Sequence, residues 1–328
     1  MNNKFHENTS GIPLVNKILM VASILCVCAT IVVFVFFNQH QKNKRKNRQE
    51  SLPNDSVSDT NPTAEPTPEV VLDVIIPTEK TIKTRFNPPA GYTRTSLMQG
   101  TFGEYLRNFE LRDYTTKPLA YDTTTKTQVS NDSLPAVSVF ALDLINKTNL
   151  QGASNSLIRL YAEYLYGQNR FNDIAFNLLT TPVFKCDFKT WSEGGRLIQE
   201  KNSITWCIEH GDHCTHKDVD TGTTYGVFKY YLQNVMLHSN ASSLTSNMNA
   251  VQLNELTVGD VIFHADSSIP EIIVDMAEDS TGNKICILAR GDNPASEIYI
   301  VRNESNADLN PWYEVNKLLT GATFYRFK

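Results

Sequence analysis

Hydrophobic and polar positions divide this chain into segments of different texture. From Ile18 to Phe37 the run ILMVASILCVCATIVVFVFF has 20 residues with no charge, proline or glycine. At about 1.5 Å per residue it spans roughly 30 Å, the hydrocarbon thickness of a bilayer. A cleavable signal has an apolar core of about 7–15 residues and then a small-residue site, whereas here Val32–Phe37 runs straight into NQHQKNKRKN. Leu25 is too large to precede a lipid-modified Cys26. The pattern predicts a short tail over 1–17 and an uncleaved transmembrane helix over 18–37. Residues 38–69 follow as a basic run and then a spacer (SLPNDSVSDTNPTAEPTP, 51–68) with four prolines and almost no apolar side chains. Such a segment cannot offset its ordering entropy and is expected to be an extended, disordered tether.

From 70 to 328 the texture predicts one globular domain. Residues 70–76 (VVLDVII) read as a short strand, and Phe102, Tyr105, Leu106 and Phe109 are spaced as on a helix. The region Asn149–Gly167 predicts a helix, with Ser154 or Asn155 as N-cap and Leu157, Leu160, Tyr161 and Leu165 on one face. Arg159 and Glu163 form an i,i+4 pair on it. A second helix is predicted over Tyr225–His238, with Phe228, Tyr231, Leu232 and Val235 buried. The last third holds five β-rich runs (261–265, 271–278, 284–290, 297–303 and 322–327) separated by turn residues. Their tight spacing predicts an antiparallel meander. Helices first and strands later describe an α+β domain with helices on a curved antiparallel sheet.

Charge separates the two parts of the chain. The net charge is −5, but residues 1–50 carry seven Lys/Arg against two Asp/Glu, leaving 23 basic and 33 acidic residues in 51–328. A body this acidic is a poor partner for a polyphosphate, so nucleic-acid binding is not expected. Unremarkable Gly, Pro and Cys content (15, 14 and 6 residues) excludes collagen-like, low-complexity and disulfide-dense classes. Orientation is in conflict. Lys42, Lys44, Arg45, Lys46 and Arg48 outnumber Lys4 and Lys17, which places the body in the cytoplasm by the positive-inside rule. A tether holding an exported domain off the bilayer, its basic run touching lipid headgroups, gives the opposite topology.

PPAGYTR, TFGEYLRNFELR, SLIRLYAEYLYG, KTWSEGGR, VFKYYLQNVM, VGDVIF with IIVDMA, and NPWY occur in this order here. In order and spacing they resemble a bacterial family catalogued as domain of unknown function 4846, over about residues 85–328. Its members are mostly exported or lipid-anchored, and the resemblance therefore implies an extracytoplasmic body on the cell membrane. The family pattern in turn resembles papain-like, NlpC-type cell-wall peptidases. There a Cys opens a helix and a His enters from a neighbouring strand as its base. Relatives carry Gln-Cys-Ala-Asp before the AEYLY helix, Gly-His-Ala at the head of the VDMA strand, and Gln residues after it. Here the Cys position holds Ala153 and the His position Ile269, while Arg290 and Ser296 stand at the Gln positions. A methyl group is no nucleophile and Ile takes no proton, so the resemblance implies a scaffold with a degenerate site. It would bind a cell-wall peptide or glycan at the envelope without an expected cofactor.

Three alternatives stay open. Ser154 with His264 as base, or a zinc held by Cys207, His210, His213 and Cys214, would make a hydrolase. A partner-binding module of a membrane complex needs neither. The two Cys and three His of residues 207–216 fit no common structural zinc spacing. In an oxidising compartment Cys207 and Cys214 would close a short disulfide loop; elsewhere they would be free thiols or metal ligands. Trp191, Arg196, Arg290 and Trp312 are candidates to line a ligand groove, with aromatic core packing as the competing role for the tryptophans. Cys286 reads as a small core hydrophobe.

Overall fold

The computed structural model describes residues 73–180, 182–201, 203–208, 220–318 and 321–328, all within a compact unit, Glu69–Lys328. The apolar run over 18–37 and the tether lie outside the described residues. Among the described residues no helix is long and apolar enough to cross a membrane.

Six helices belong to the described fold: α1 (Ile82–Arg85), α2 (Phe102–Arg107), α3 (Ala153–Gly167), α4 (Phe188–Ser192), α5 (Tyr225–Leu237) and α6 (Ala241–Ser246). In α5, Val227, Phe228, Tyr231, Leu232, Val235 and Met236 recur at helical spacing and are all buried. Burial of each large apolar side chain is worth about 1.5–3 kcal/mol. The Thr224 hydroxyl caps this helix by accepting from Val227 N–H. Helix α3 starts earlier than its polar residues suggest. Gly152 is its N-cap and Ala153 its first helical residue, so Ser154 and Asn155 lie inside the first turn.

The main sheet has nine strands, and its central path runs β4 (Ala136–Val139), β13 (Tyr299–Val301), β12 (Lys284–Arg290), β11 (Glu271–Asp279), β10 (Val261–Phe263), β15 (Thr323–Phe327), β9 (Met248–Val251). All its pairings are antiparallel. Strands β10 to β13 form the expected meander. One edge of β11 is covered by β12, and the other is shared by β10 and, at its far end, β1 (Tyr92–Arg94). The outer edge of β12 is likewise divided between β13 and β14 (Trp312–Glu314). A register shift between Ile273 and Asp275 interrupts the β11–β12 ladder, as a bulge does where a strand bends. Residues 271–277 are buried without alternation, as in a strand covered on both faces. Helices α1 and α2 pack on β11, and α3 packs on β12.

Two sequence expectations need correction. Of the strand expected over 70–76, residues 70–72 lie outside the described residues, and 73–76 pair only through a bridge between Ile75 and Phe86. The helices do not precede the strands as a block. Hairpins β2–β3 (Leu119–Asp122, Thr127–Ser130), β5–β6 (Ala175–Leu178, Phe184–Asp187) and β7–β8 (Arg196–Glu200, Ser203–Cys207) separate them.

The bulge places Asp275, wholly buried, beside two arginines. Its Oδ1 accepts from Arg107 Nε at 2.6 Å and from Met276 N–H at 2.9 Å, and its Oδ2 accepts from Arg94 Nε at 2.7 Å. Arg107 also donates to Thr95 O at 2.8 Å, and Arg94 to the carbonyls of Lys83 and Phe86. This knot ties β1, α2 and the loop after α1 to the centre of the sheet.

Candidate functional site

The first turn of α3 lies on a cleft of about 500 Å3. Its lining is neutral: Asn149, Asn155, Asn240 and Asn293 with Ser154, Ser239 and Ser268, and between them Leu150, Gly152, Ala153, Met236, Leu237, Ala241 and Pro294. No lining residue is an acid, a base, a thiol or a phenol.

Three of the asparagines are fixed by the backbone. Asn293 Oδ1 accepts from Ala153 N–H at 3.0 Å and so caps α3 from outside the helix. Asn149 Oδ1 accepts from Ala295 N–H at 2.7 Å, and Asn240 Oδ1 from Ser242 and Ser243 N–H at 2.9 and 3.1 Å. Each therefore keeps an Nδ2 donor with no hydrogen-bond partner among the described residues. Asn155 is turned the other way: its Nδ2 donates to Leu150 O at 2.8 Å and Met236 O at 3.1 Å, while its buried Oδ1 accepts nothing from the protein. The N–H groups of Ser154 and Asn155 belong to the first helical turn, which has no intrahelical acceptors. The cleft is thus rich in fixed neutral donors at the positive end of a helix dipole.

Two glycines allow this close packing. A Cβ at Gly152 would fall 2.3 Å from Asn293 Oδ1, and one at Gly291 would fall 2.1 Å from Ser156 Oγ. A larger residue at 152 would have to displace the Asn293 side chain that caps α3, and one at 291 the Ser156 side chain.

The expected base is elsewhere. His264 follows β10, and its Nε2 is 3.1 Å from Glu271 Oε2 at the head of β11. Arg290 Nη1 donates to the other Glu271 oxygen at 2.9 Å, Arg290 Nε to Tyr299 Oη at 3.0 Å, and Tyr299 Oη to Asp292 Oδ2 at 2.9 Å. The bond to Glu271 holds the His264 imidazole above its ordinary value, against the opposing effect of burial. His264 is committed to this chain of charges and does not line the cleft. The Ser154 hydroxyl does line it but makes no hydrogen bond to any residue described. The two regions abut at Asp292 and Asn293. Ala153 is wholly buried, and Ile269, half-buried, donates its N–H to Ser267 Oγ at 3.1 Å.

The proposed groove aromatics are inside the protein. Trp191 and Trp312 are buried, and Trp312 Nε1 donates to Asn87 O at 2.9 Å. Arg196 is also buried; its guanidinium lies 4.3 Å from the Trp191 ring and donates to the carbonyls of Trp191, Gly195 and Asp220. These three side chains pack against the protein and present no face to a ligand, because burial of their planes and stems outweighs exposure of their polar tips. Arg290, about one-fifth exposed, is the one of the four with a solvent face.

Cys207 is disulfide-bonded. His210, His213 and Cys214 lie outside the described residues. Among those described, no group of three or more His, Cys, Asp or Glu is placed to hold a metal. Cys186 and Cys286 are buried free thiols, each with its pKa pushed up by burial, the opposite of what a reactive thiolate needs.

Sequence reading missed the asparagine set and Glu271. Asn149, Asn240 and Asn293 come from three separate loops, and Glu271 opens a strand of otherwise core character. An acid at the start of an apolar run was the one visible sign, since a buried carboxylate needs a partner.

A family model described as domain of unknown function (4846) matches residues 82–328. No curated protein and no solved structure matches the chain.

Proposed function

Because the chain belongs to the family of domain of unknown function 4846, we propose a function from its own residues: binding without hydrolysis, on a papain-like scaffold, of a cell-envelope peptide or glycan in the cleft at the head of α3. The observation carrying this reading is the lining itself, which holds hydrogen-bonding groups but no side chain able to act as nucleophilic thiolate or as acid–base catalyst. Fixed amide and N–H donors suit the carbonyl and hydroxyl oxygens common to wall peptides and glycans. Leu150, Met236 and Leu237 supply apolar contact beside them. In this reading residues 18–37 anchor the protein and the body works outside the cytoplasmic membrane.

The test is thermal unfolding of the full chain in detergent with purified muropeptides, followed by mass analysis of the ligand. Ligand at 100 times its Kd adds about 2.7 kcal/mol, a rise of roughly 5–10 °C for a domain of this size. Filling the cleft with Ser154→Trp should remove the shift. Recovery of cleaved ligand, or no shift with any wall-derived fragment, would overturn the proposal.

A further inference from the structure

One side chain at the head of α3 has a hydrogen-bonding capacity that the fold leaves unmet. Asn155 is only 8% exposed, and its Nδ2 is committed to the carbonyls of Leu150 and Met236. Turning the amide over would set its oxygen against those carbonyls. Its Oδ1 is thereby fixed as an acceptor, and no donor among the described residues reaches it. A buried amide oxygen without a partner is costly, and Asn155 lines the same cleft as the free donors.

The charge around this acceptor narrows what could meet it. An anion suits a helix N-terminus, but here it would face the Asn155 oxygen with no cation among the lining residues. It would also approach the Asp292 carboxylate, which Asn293 N–H and Tyr299 Oη hold beside the cleft, its nearest cation being Arg290 at 3.6 Å. A cation would satisfy Asn155 but meet the positive end of the helix dipole and the amide hydrogens of the other asparagines. A neutral group with both a strong acceptor and a donor suits the whole lining. A secondary amide carries these on adjacent groups, C=O and N–H, and its apolar flank matches Met236, Leu237 and Pro294. A hydroxyl donates and accepts through a single atom and has no such flank.

We infer that the cleft recognises a neutral secondary amide, with the ligand carbonyl on the donors at the head of α3 and the ligand N–H on Asn155 Oδ1, directly or through one water. This specificity rests on the binding function proposed above and narrows it to a single chemical group. Two sources supply that group: the acetamido substituent of an amino sugar and the backbone of a peptide.

Atom-replaced ligands test this by calorimetry on the full-length protein in detergent. Chitotriose is compared with copies bearing O-acetyl or hydroxyl in place of N-acetyl, and acetyl-trialanine amide with copies in which one backbone amide at a time is an ester. An ester keeps the shape and the carbonyl but has no N–H. At least one parent should bind, and the ester copy at the recognised position should be about five- to thirtyfold weaker, as expected when a buried acceptor is left unpaired. The parent that binds more tightly identifies the source. Asn240→Ser keeps a good helix cap and removes one cleft donor; with the melting temperature unchanged, it should weaken the parent about two- to tenfold while the preference for amide over ester stays. Ester copies as tight as their parents, or a preference that survives Ser154→Trp, would overturn the amide specificity and leave cleft binding of wall fragments standing. Failure of both parents while muropeptides still bind would do the same. Failure of every ligand, muropeptides included, would end both readings.

Discussion

Asp275→Asn is the sharpest perturbation of this fold, since it changes one charge and almost no volume. The carboxylate is wholly buried and accepts from two guanidinium groups at 2.6 and 2.7 Å. A hydrogen bond to a charged group is worth about 1.5–3 kcal/mol, and breaking a buried ion pair costs about 3–5 kcal/mol because the partner is left uncompensated. Asparagine keeps one acceptor but turns an amino group toward one of the arginines. The carbonyls that Arg94 and Arg107 also reach soften the loss. The expected destabilisation is about 2–4 kcal/mol, a large part of the 5–15 kcal/mol typical of a domain. Urea unfolding of the full chain in detergent, followed by tryptophan fluorescence from buried Trp191 and Trp312 and by circular dichroism, measures it directly. Glu193→Gln is the control: its pair with Lys189 is more than half exposed on both sides, and its loss should cost less than about 1 kcal/mol. The Asp275 effect should persist in 1 M salt, where surface attractions are screened. A loss no larger than that of Glu193→Gln, or one abolished by salt, would refute the claim that this buried knot holds the sheet to its N-terminal elements.

Four further outcomes are expected. Ala153→Cys should not hydrolyse wall peptides, because the missing acid–base partner is worth about 10²–10⁴-fold in rate; product in a mass assay would show that a base reaches the cleft. Gly291→Ala should cost about 1–3 kcal/mol by overpacking, and Ser156→Gly in the same chain should recover much of it; additive losses in urea would count against the contact. His264 gains affinity for its proton on folding, so its contribution is full below the ordinary imidazole range near 6.5 and is lost as pH rises through the higher folded value. The unfolding free energy from urea titration should therefore fall more between pH 6 and 9 in the wild type than in His264→Gln, by about 0.2–1 kcal/mol, and equal slopes would refute the pairing with Glu271. Protease added to intact spheroplasts should digest the body if the proposed topology holds; protection until lysis would place it in the cytoplasm.

What the sequence revealed depended on how local the signal was. Helix α5 announces itself through its apolar spacing and Thr224, and β11 and β12 through unbroken apolar runs between turn residues. The start of α3 was misplaced because its cap is not a neighbouring side chain but Asn293, 140 positions away. Strands β1, β4 and β14 were not anticipated: each has three or four residues, too few to show alternation, and exists because a distant edge needs covering. For Trp191 the sequence left groove lining and core packing open, because composition cannot separate a stacked, buried pair such as Trp191 and Arg196 from an exposed one. The departures from the resembled pattern at Ala153, Ile269, Arg290 and Ser296 were legible in the sequence alone. The donors beside Ala153 became visible only once three loops had come together.

Strand order also governs when this domain can come into being. Strand β15, residues 323–327, lies between β10 and β9, and Arg94 of β1 waits for Ala277 of β11. At about 5–20 residues per second on the ribosome, the interval between Arg94 and Ala277 lasts on the order of 10–40 s. Until β15 emerges, β9 and β10 each present an open edge to other chains. The sheet therefore closes between β10 and β9 only after β15 has been made. Deleting 323–327 would expose two edges at once, leaving a nascent-like species prone to aggregate.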